Sequence, residues 1–309
     1  MTVIQPKRIG IVCKGREEDI FVLKRLVESV DDRDRIEVIL DEATAYKLQT
    51  HGHGHGYGYD HGMKIEEMDV DLMICIGGDG TILRTLHALK HQTPVLGINM
   101  GAIGFLAEIQ PGESVSTLMR LLEGFEVERK ERLSVTIAGS EGKEKIPYAM
   151  NEAVVITPKP GKMLHFATFI DGWELDRLRA DGIIFATTTG STAYAMSAGG
   201  PIVDPVVGAT IIVPIAPFKL SVRPTVVDIN SVISLELMET RGANLVIDGQ
   251  FYRAIGKEEQ IIVTKGEPAL FVKILGTHFL KFREKLRSVE RRNEEDRNEN
   301  AETIGTEVK

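Results

Sequence analysis

Leu72-Met73-Ile74-Cys75-Ile76-Gly77-Gly78-Asp79-Gly80-Thr81 is an apolar run that stops on two glycines, an aspartate, a third glycine and a threonine. A short, continuously apolar run ended by glycine reads as a buried strand. From Thr81 to Lys90, Ile82, Leu83, Leu86 and Leu89 follow at helical spacing. The glycines therefore form a strand-to-helix turn in which backbone can approach a ligand closely, and the helix start offers unpaired N–H groups to an anion. A carboxylate in such a turn repels phosphate unless it has a role in proton transfer or beside a metal, which marks Asp79 as a candidate catalytic acid. The spacing matches neither the G-x-G-x-x-G dinucleotide fingerprint nor the G-x-x-x-x-G-K-[ST] phosphate loop. Taken alone, the four residues are equally well read as a tight turn with an Asx contact.

Working outward, Arg8–Cys13 reads as a first strand, Glu17–Val30 as an amphipathic helix and Arg35–Leu40 as a second strand. With Pro94–Ile98 as a further strand, the order β-α-β-(helix)-β-α-β predicts a parallel sheet with helices on its faces. In such sheets ligands bind at the carboxyl ends of strands, where Asp79 and Asn99 fall. Ser114–Glu123 reads as a helix. Residues 51–62, in which His51, His53, His55 and His61 are interspersed with glycine, cannot pack a core; they read as a solvated loop, with metal capture as the alternative.

From Leu133 the texture changes to short β-type runs separated by Gly, Pro and Asp turns: 134–137, 153–156, 166–170, 183–187, 210–213, 232–237, 244–247 and 260–264. That pattern predicts a mostly antiparallel β domain, interrupted at 188–201 and 214–224. The expected organisation is 1–130 as an α/β domain, 131–275 as a β-rich domain, 276–287 returning to the first domain, and 288–309 as a disordered charged tail.

At 309 residues the chain has room for two cores, and 37 basic against 45 acidic residues give a net charge of −8. With no long Lys/Arg run, nucleic acid is an unlikely partner. No apolar stretch approaches the roughly 18 residues of a membrane span, and residues 1–7 carry no signal-peptide core. Cys13 and Cys75 sit in strand-like runs and read as buried thiols. A cytoplasmic protein with no membrane partner is expected.

Read together, Gly77-Gly78-Asp79-Gly80-Thr81, the 97–106 stretch Gly-Ile-Asn-Met-Gly-Ala-Ile-Gly-Phe-Leu, Asn151-Glu152, Asp181-Gly182, Thr189-Gly190-Ser191-Thr192-Ala193-Tyr194 and Asp248-Gly249-Gln250 closely resemble the NAD kinases, over roughly Lys7 to Arg287. The Gly-Gly-Asp-Gly element is shared with diacylglycerol-type lipid kinases and phosphofructokinases; its combination with Asn-Glu and Thr-Gly-Ser-Thr-Ala-Tyr is specific. The resemblance implies transfer of a terminal phosphoryl group from ATP or polyphosphate to the 2′-hydroxyl of the adenosine ribose of NAD. It also implies Mg²⁺ or another divalent cation and a homodimer or homotetramer, with no residue assigned as a metal ligand. Asp79 becomes the base that takes the hydroxyl proton, beside Gly80 and Arg84. Asn151 and Glu152 become ribose-holding residues. Lys162, Arg179, Asp181, Thr192, Ala193, Tyr194, Ala195, Met196 and Ser197 match dinucleotide-contact positions, as do Ala216 and Gln250.

The chain departs from many family members at Thr188, where they carry Pro, and at Phe218, where they carry His; the latter bears on donor or acceptor preference. Without the resemblance, Asn151-Glu152 reads as a turn before a strand, Lys162 as a loop charge, Asp181-Gly182 as a common turn, and His165 as structural. The competing functions are a related lipid kinase, a non-catalytic NAD(H)-binding sensor that would have lost Asp79, and a metal-binding role for the His-Gly loop.

Overall fold

The computed structural model describes residues 3–31, 36–50, 62–101, 104–140, 142–239 and 242–274. The tract 51–61 and the segments 276–287 and 288–309, with the readings attached to them, lie outside the described residues.

The first part of the chain supplies β1 (Arg8–Cys13), α1 (Glu17–Asp31), β2 (Glu37–Leu40), α2 (Glu42–Thr50), β3 (Leu72–Gly77), α3 (Asp79–Ala88), β4 (Val95–Asn99), α4 (Ser114–Glu123) and β5 (Val127–Lys130). The rest supplies β6 (Leu133–Gly139), β7 (Gly142–Lys145), β8 (Glu152–Ile156), β9 (Leu164–Ile170), β10 (Trp173–Ala180), β11 (Gly182–Thr187), α5 (Tyr194–Ser197), β12 (Ala209–Ile215), β13 (Thr225–Asp228), β14 (Ile233–Leu237), β15 (Ala243–Ile247), β16 (Phe251–Ile255), β17 (Gln260–Lys265) and β18 (Ala269–Val272).

The first sheet runs β2-β1-β3-β4-β18-β5. Its strands are parallel, as expected, except that β5 pairs antiparallel with β18 at one edge, so the sheet is mixed. The two-residue period of β3 explains its unbroken apolar run. Leu72, Ile74 and Ile76 pack towards α1 and α4, whereas Met73 and Cys75 pack towards Ile82, Leu83 and Leu86 of α3. Cys13 and Cys75 are free, buried thiols pushed up to about 12 chiefly by burial.

Two further six-stranded sheets, β10-β9-β14-β17-β6-β7 and β13-β12-β11-β8-β15-β16, are antiparallel and pack around one core that includes Phe166, Phe185, Leu235 and Leu245. β6 and β15 alternate buried and half-exposed positions, but β11 is buried throughout. The reason is a second apolar layer, in which Ile184 and Ala186 of β11 meet Ala195 of α5. Pro214 lies inside β12 opposite Ile183. It is tolerated there because β13 pairs only with residues 209–212, so the position lacking an N–H faces no strand on that side. β10 was not expected from the sequence: Trp-Glu-Leu-Asp-Arg-Leu-Arg-Ala is an exposed edge strand whose polar residues mask the period.

Gly97 couples β4 to its surroundings, since a Cβ there would lie 2.5 Å from Ile82 Cδ1 and 2.7 Å from the Ala107 Cα. Gly97→Ala is therefore expected to cost about 1–3 kcal/mol of strain and to lower the thermal midpoint by a few degrees; an unchanged midpoint would show that this layer gives way freely.

Candidate active site

The three glycines of the Gly77–Gly80 turn have different reasons to be glycine. A Cβ on Gly77 would strike Thr81 Oγ1 at 2.3 Å, so packing excludes one. Among the described residues, Cβ atoms on Gly78 and Gly80 would meet nothing within 4 Å. Space is therefore open above the turn, where α3 begins with Gly78 as its N-cap. Asp79, at the first helical position, does not face that space unattended. Its Oδ2 accepts the N–H of Phe105 (2.8 Å), and its Oδ1 accepts those of Leu106 (3.0 Å) and Ala107 (3.1 Å). An ionised carboxylate has about four acceptor sites, so one remains for a further donor. The helix N-terminus and the three amides together offset the repulsion between Asp79 and an incoming anion. Arg84, one turn further along α3, is exposed.

A second aspartate repeats the arrangement. Asp248 (φ 49°) and Gly249 (φ 65°) form the left-handed pair that a two-residue hairpin turn between β15 and β16 requires, closed by Gln250 N–H donating to Ile247 O at 2.8 Å. The Asp248 side chain is fully buried and accepts the N–H groups of Met150 (2.8 Å), Asn151 (2.8 Å) and Glu152 (2.9 Å). It also pairs with His87 Nε2 at 2.9 Å. The same three-residue stretch is gripped from the other side. Thr187 Oγ1 donates to Met150 O (2.7 Å) and accepts Gly190 N–H (2.9 Å). Gly190 lies so close that a Cβ would sit 2.0 Å from Asn151 O. The Asn-Glu and Thr-Gly-Ser-Thr elements, 38 positions apart, thus form one structure. Met150 shares a buried cluster with Ile82, Leu83, Leu86, Leu106 and Ala107, joining this structure to the Asp79 turn.

Glu152 is buried, and its Oε2 has no hydrogen-bond partner among the described residues. Burial, and secondarily the nearby Asp248 charge, push its carboxyl up to about 7, against a weaker opposing contact from the Tyr194 backbone. A buried, unpartnered acceptor is costly and is satisfied when a ligand hydroxyl reaches it.

The positions singled out from the sequence fall into two groups. Asn151, Glu152, Thr192–Ser197 and Gln250 gather where β8 begins and β11 and β15 end, the end of the sheet tied to α3 and Asp79. Ala195 is buried in the core, so its side chain cannot reach a ligand, whereas Tyr194 and Ser197 are exposed. Lys162, Arg179, Asp181 and Ala216 collect at the opposite end, about 15 Å away along five-residue β8. There Asp181 N–H donates to Ile215 O (3.0 Å), Thr157 N–H donates to Asp181 O (2.8 Å), and Thr157 Oγ1 donates to Lys162 O (2.6 Å). Arg179 lines an open cavity of about 330 Å³ with Met163, His165, Phe218 and Glu239. Phe218 is 75% exposed there, and Thr188 is buried.

Sequence reasoning missed His87, the brace of Asp248, and a basic set at the end of β1. In that set Lys47 Nζ donates to Lys14 O (2.6 Å) and Arg16 Nη2 donates to Met100 O (2.6 Å), with Lys14 3.3 Å from the position of a Cβ on Gly77. A histidine in the last turn of a helix whose other inward positions are apolar was the available signal for His87.

Residues 9–125 match the family model for the ATP-NAD kinase N-terminal domain, and residues 150–274 match that for the ATP-NAD kinase C-terminal domain. The chain is 43% identical over 256 residues to an NAD kinase of Methanoculleus marisnigri, covering 82% of this chain and 89% of that one. It is 47% identical over 230 residues to an NAD kinase of Methanothermobacter thermautotrophicus, covering 73% and 80%. A crystal structure of an NAD kinase from Archaeoglobus fulgidus in complex with ATP superimposes with a TM-score of 0.72 at 34% identity, covering 91% of this chain and 99% of that one.

Because the folded Glu152 carboxyl titrates near 7 rather than its ordinary 4.5, the folded state holds more protons than the unfolded one between those values. The associated stability is present below pH 4.5 and lost as pH rises through 7. Glu152→Gln should therefore raise the thermal midpoint relative to wild type at pH 8, by the equivalent of about 3 kcal/mol, with the gain shrinking as pH falls and vanishing below pH 4.5. A gain independent of pH would contradict the assignment.

Proposed function

The chain belongs to the NAD kinase family, whose members phosphorylate NAD to NADP, and we propose that Asp79 is the base of that reaction. The observation that carries this reading is the Asp79 carboxylate, fixed by three amides of residues 105–107 and set between two glycines over open space. Its remaining acceptor site takes the proton of the adenosine ribose 2′-hydroxyl as that oxygen bonds to the terminal phosphorus. The bridging P–O bond of the donor breaks, and ADP, or a shortened polyphosphate, leaves. Phosphoryl transfer proceeds through a loose transition state, so alignment and charge neutralisation do most of what catalysis requires.

Asn151 and Glu152 hold the ribose hydroxyls, and the unpartnered Glu152 Oε2 is the acceptor that a hydroxyl satisfies. Thr192–Ser197 and Gln250 line the same end. The donor's phosphates lie over Gly78 and Gly80 against the start of α3, with Arg84, Lys14 and Lys47 balancing their charge, Arg16 being already paired with buried Asp19. ATP as donor is supported by the A. fulgidus NAD kinase in complex with ATP. Asp79 has three acceptor positions filled by backbone N–H groups and its last one used for the hydroxyl proton, so a divalent cation would be carried by the donor phosphates and would supply neutralisation of their charge.

The second group, Lys162, Arg179, Asp181 and Ala216, contacts a dinucleotide at the far end of the same sheet. We read the enzyme as a cytoplasmic homodimer or homotetramer. Buried free thiols support a reducing compartment. Among the described residues no helix is long and apolar enough to cross a membrane.

The test is NADP formation from NAD and Mg²⁺ with ATP or polyphosphate in parallel, beside Asp79→Asn. Loss of about 10²–10⁴-fold in kcat, with NAD still binding in a titration, is expected. An Asp79→Asn enzyme of wild-type rate would remove the base from Asp79, and NAD binding without turnover by the wild type would favour the sensor.

A further inference from the structure

His87 lies on α3, which packs on the first sheet, and Asp248 lies in the turn between β15 and β16 of another sheet; the two side chains meet at 2.9 Å. His87 closes α3, the helix that Asp79 opens, so the two residues are about 12 Å apart along one rigid rod. Asp248 sits in the hairpin turn on which Asn151 and Glu152 depend. Its carboxylate receives four donors: Met150 N–H and His87 on Oδ2, Asn151 and Glu152 N–H on Oδ1. That count matches the acceptor capacity of a carboxylate, so no site is left for substrate or water. The side chain is fully buried and the His87 side chain is 12% exposed, which places the contact outside the open space over the glycines. Since Asp248 accepts, His87 Nε2 carries the proton. A buried carboxylate is expensive to desolvate unless every acceptor is used. The arrangement sets a distance, from the end of α3 to the amides that carry the acceptor-binding side chains.

We propose that His87 and Asp248 are positioning residues for phosphoryl transfer, together holding Asn151 and Glu152 at a fixed offset from Asp79. The inference rests on the assignment of Asp79 as base and of Asn151-Glu152 as the acceptor ribose site. Shortening the link lets the 150–152 stretch settle relative to α3, so the ribose hydroxyl drifts from the base. A displacement of about 1 Å is enough to cost on the order of a hundredfold in rate. The donor site over Gly78 and Gly80 does not involve the link and keeps its affinity.

The discriminating pair is His87→Gln and His87→Asn. Both are neutral amides and both place an N–H₂ donor on the side chain, but only Gln reaches as far as histidine Nε2. Steady-state NADP formation would be measured with NAD and ATP varied separately, alongside thermal midpoints and the wild type. The expected result is that His87→Gln keeps at least a third of wild-type kcat. His87→Asn would lose at least tenfold in kcat and gain several-fold in KM for NAD. Its KM for ATP would stay within twofold, and its midpoint within a few degrees of His87→Gln. Equal kinetics for the two variants would overturn the proposal, as would a loss in His87→Asn that raises both KM values and tracks the midpoint. A wild-type protein that binds NAD without forming NADP would overturn the underlying reading, and this inference with it.

Discussion

Two aspartates, each holding three consecutive backbone amides of another segment, are the constraint on which the site depends. Asp79 gathers Phe105, Leu106 and Ala107, and Asp248 gathers Met150, Asn151 and Glu152. Hydrogen bonds to a charged acceptor are stronger than neutral ones, and a loop that donates three in a row loses its freedom to drift. Each carboxylate thereby turns an irregular stretch into a fixed one without extra secondary structure. The two differ in what is left over. Asp79 is half-buried with acceptor capacity to spare, so it can meet substrate; Asp248 is buried and saturated, so it can only organise.

Glycine supplies the complementary device. At Gly77, Gly97 and Gly190 the missing Cβ lets chain approach chain. At Gly78 and Gly80 the same omission leaves room that no described residue fills. One stretch of five residues therefore mixes a glycine demanded by packing with glycines that packing among the described residues does not demand.

Much of this was legible in the sequence. The strand–glycine–helix turn, the α/β order and the shift to β texture from Leu133 follow from periodicity, and the fold matches them. Asp79 stands out by its place in the glycine turn, whereas Asn151 and Glu152 are singled out only by the family resemblance. Three things were not readable. The edge strand β10 hides behind Glu174, Asp176, Arg177 and Arg179, because an exposed strand has no buried face to impose alternation. The antiparallel edge of the first sheet could not be seen because β18 comes from the far end of the described chain. The role of Asp248 is a matter of which amides converge on it from about a hundred positions away, and no local pattern carries that. The division into two groups of the positions matched through the resemblance was hidden for a similar reason, since strand direction decides which end of a sheet a residue occupies.

β18 lies between β4 and β5, pairing parallel with the one and antiparallel with the other. A ribosome making this chain thus releases β1 to β5 long before the strand that joins β5 to its sheet. Until residue 272 has been made, β4 exposes an open flank and β5 has no partner in that sheet. The second unit must be synthesised, though not necessarily finished folding, before the first can close. The order of assembly therefore runs against the order of synthesis, and a chain cut short inside the β-rich part leaves an unfinished first sheet with an edge available to other strands.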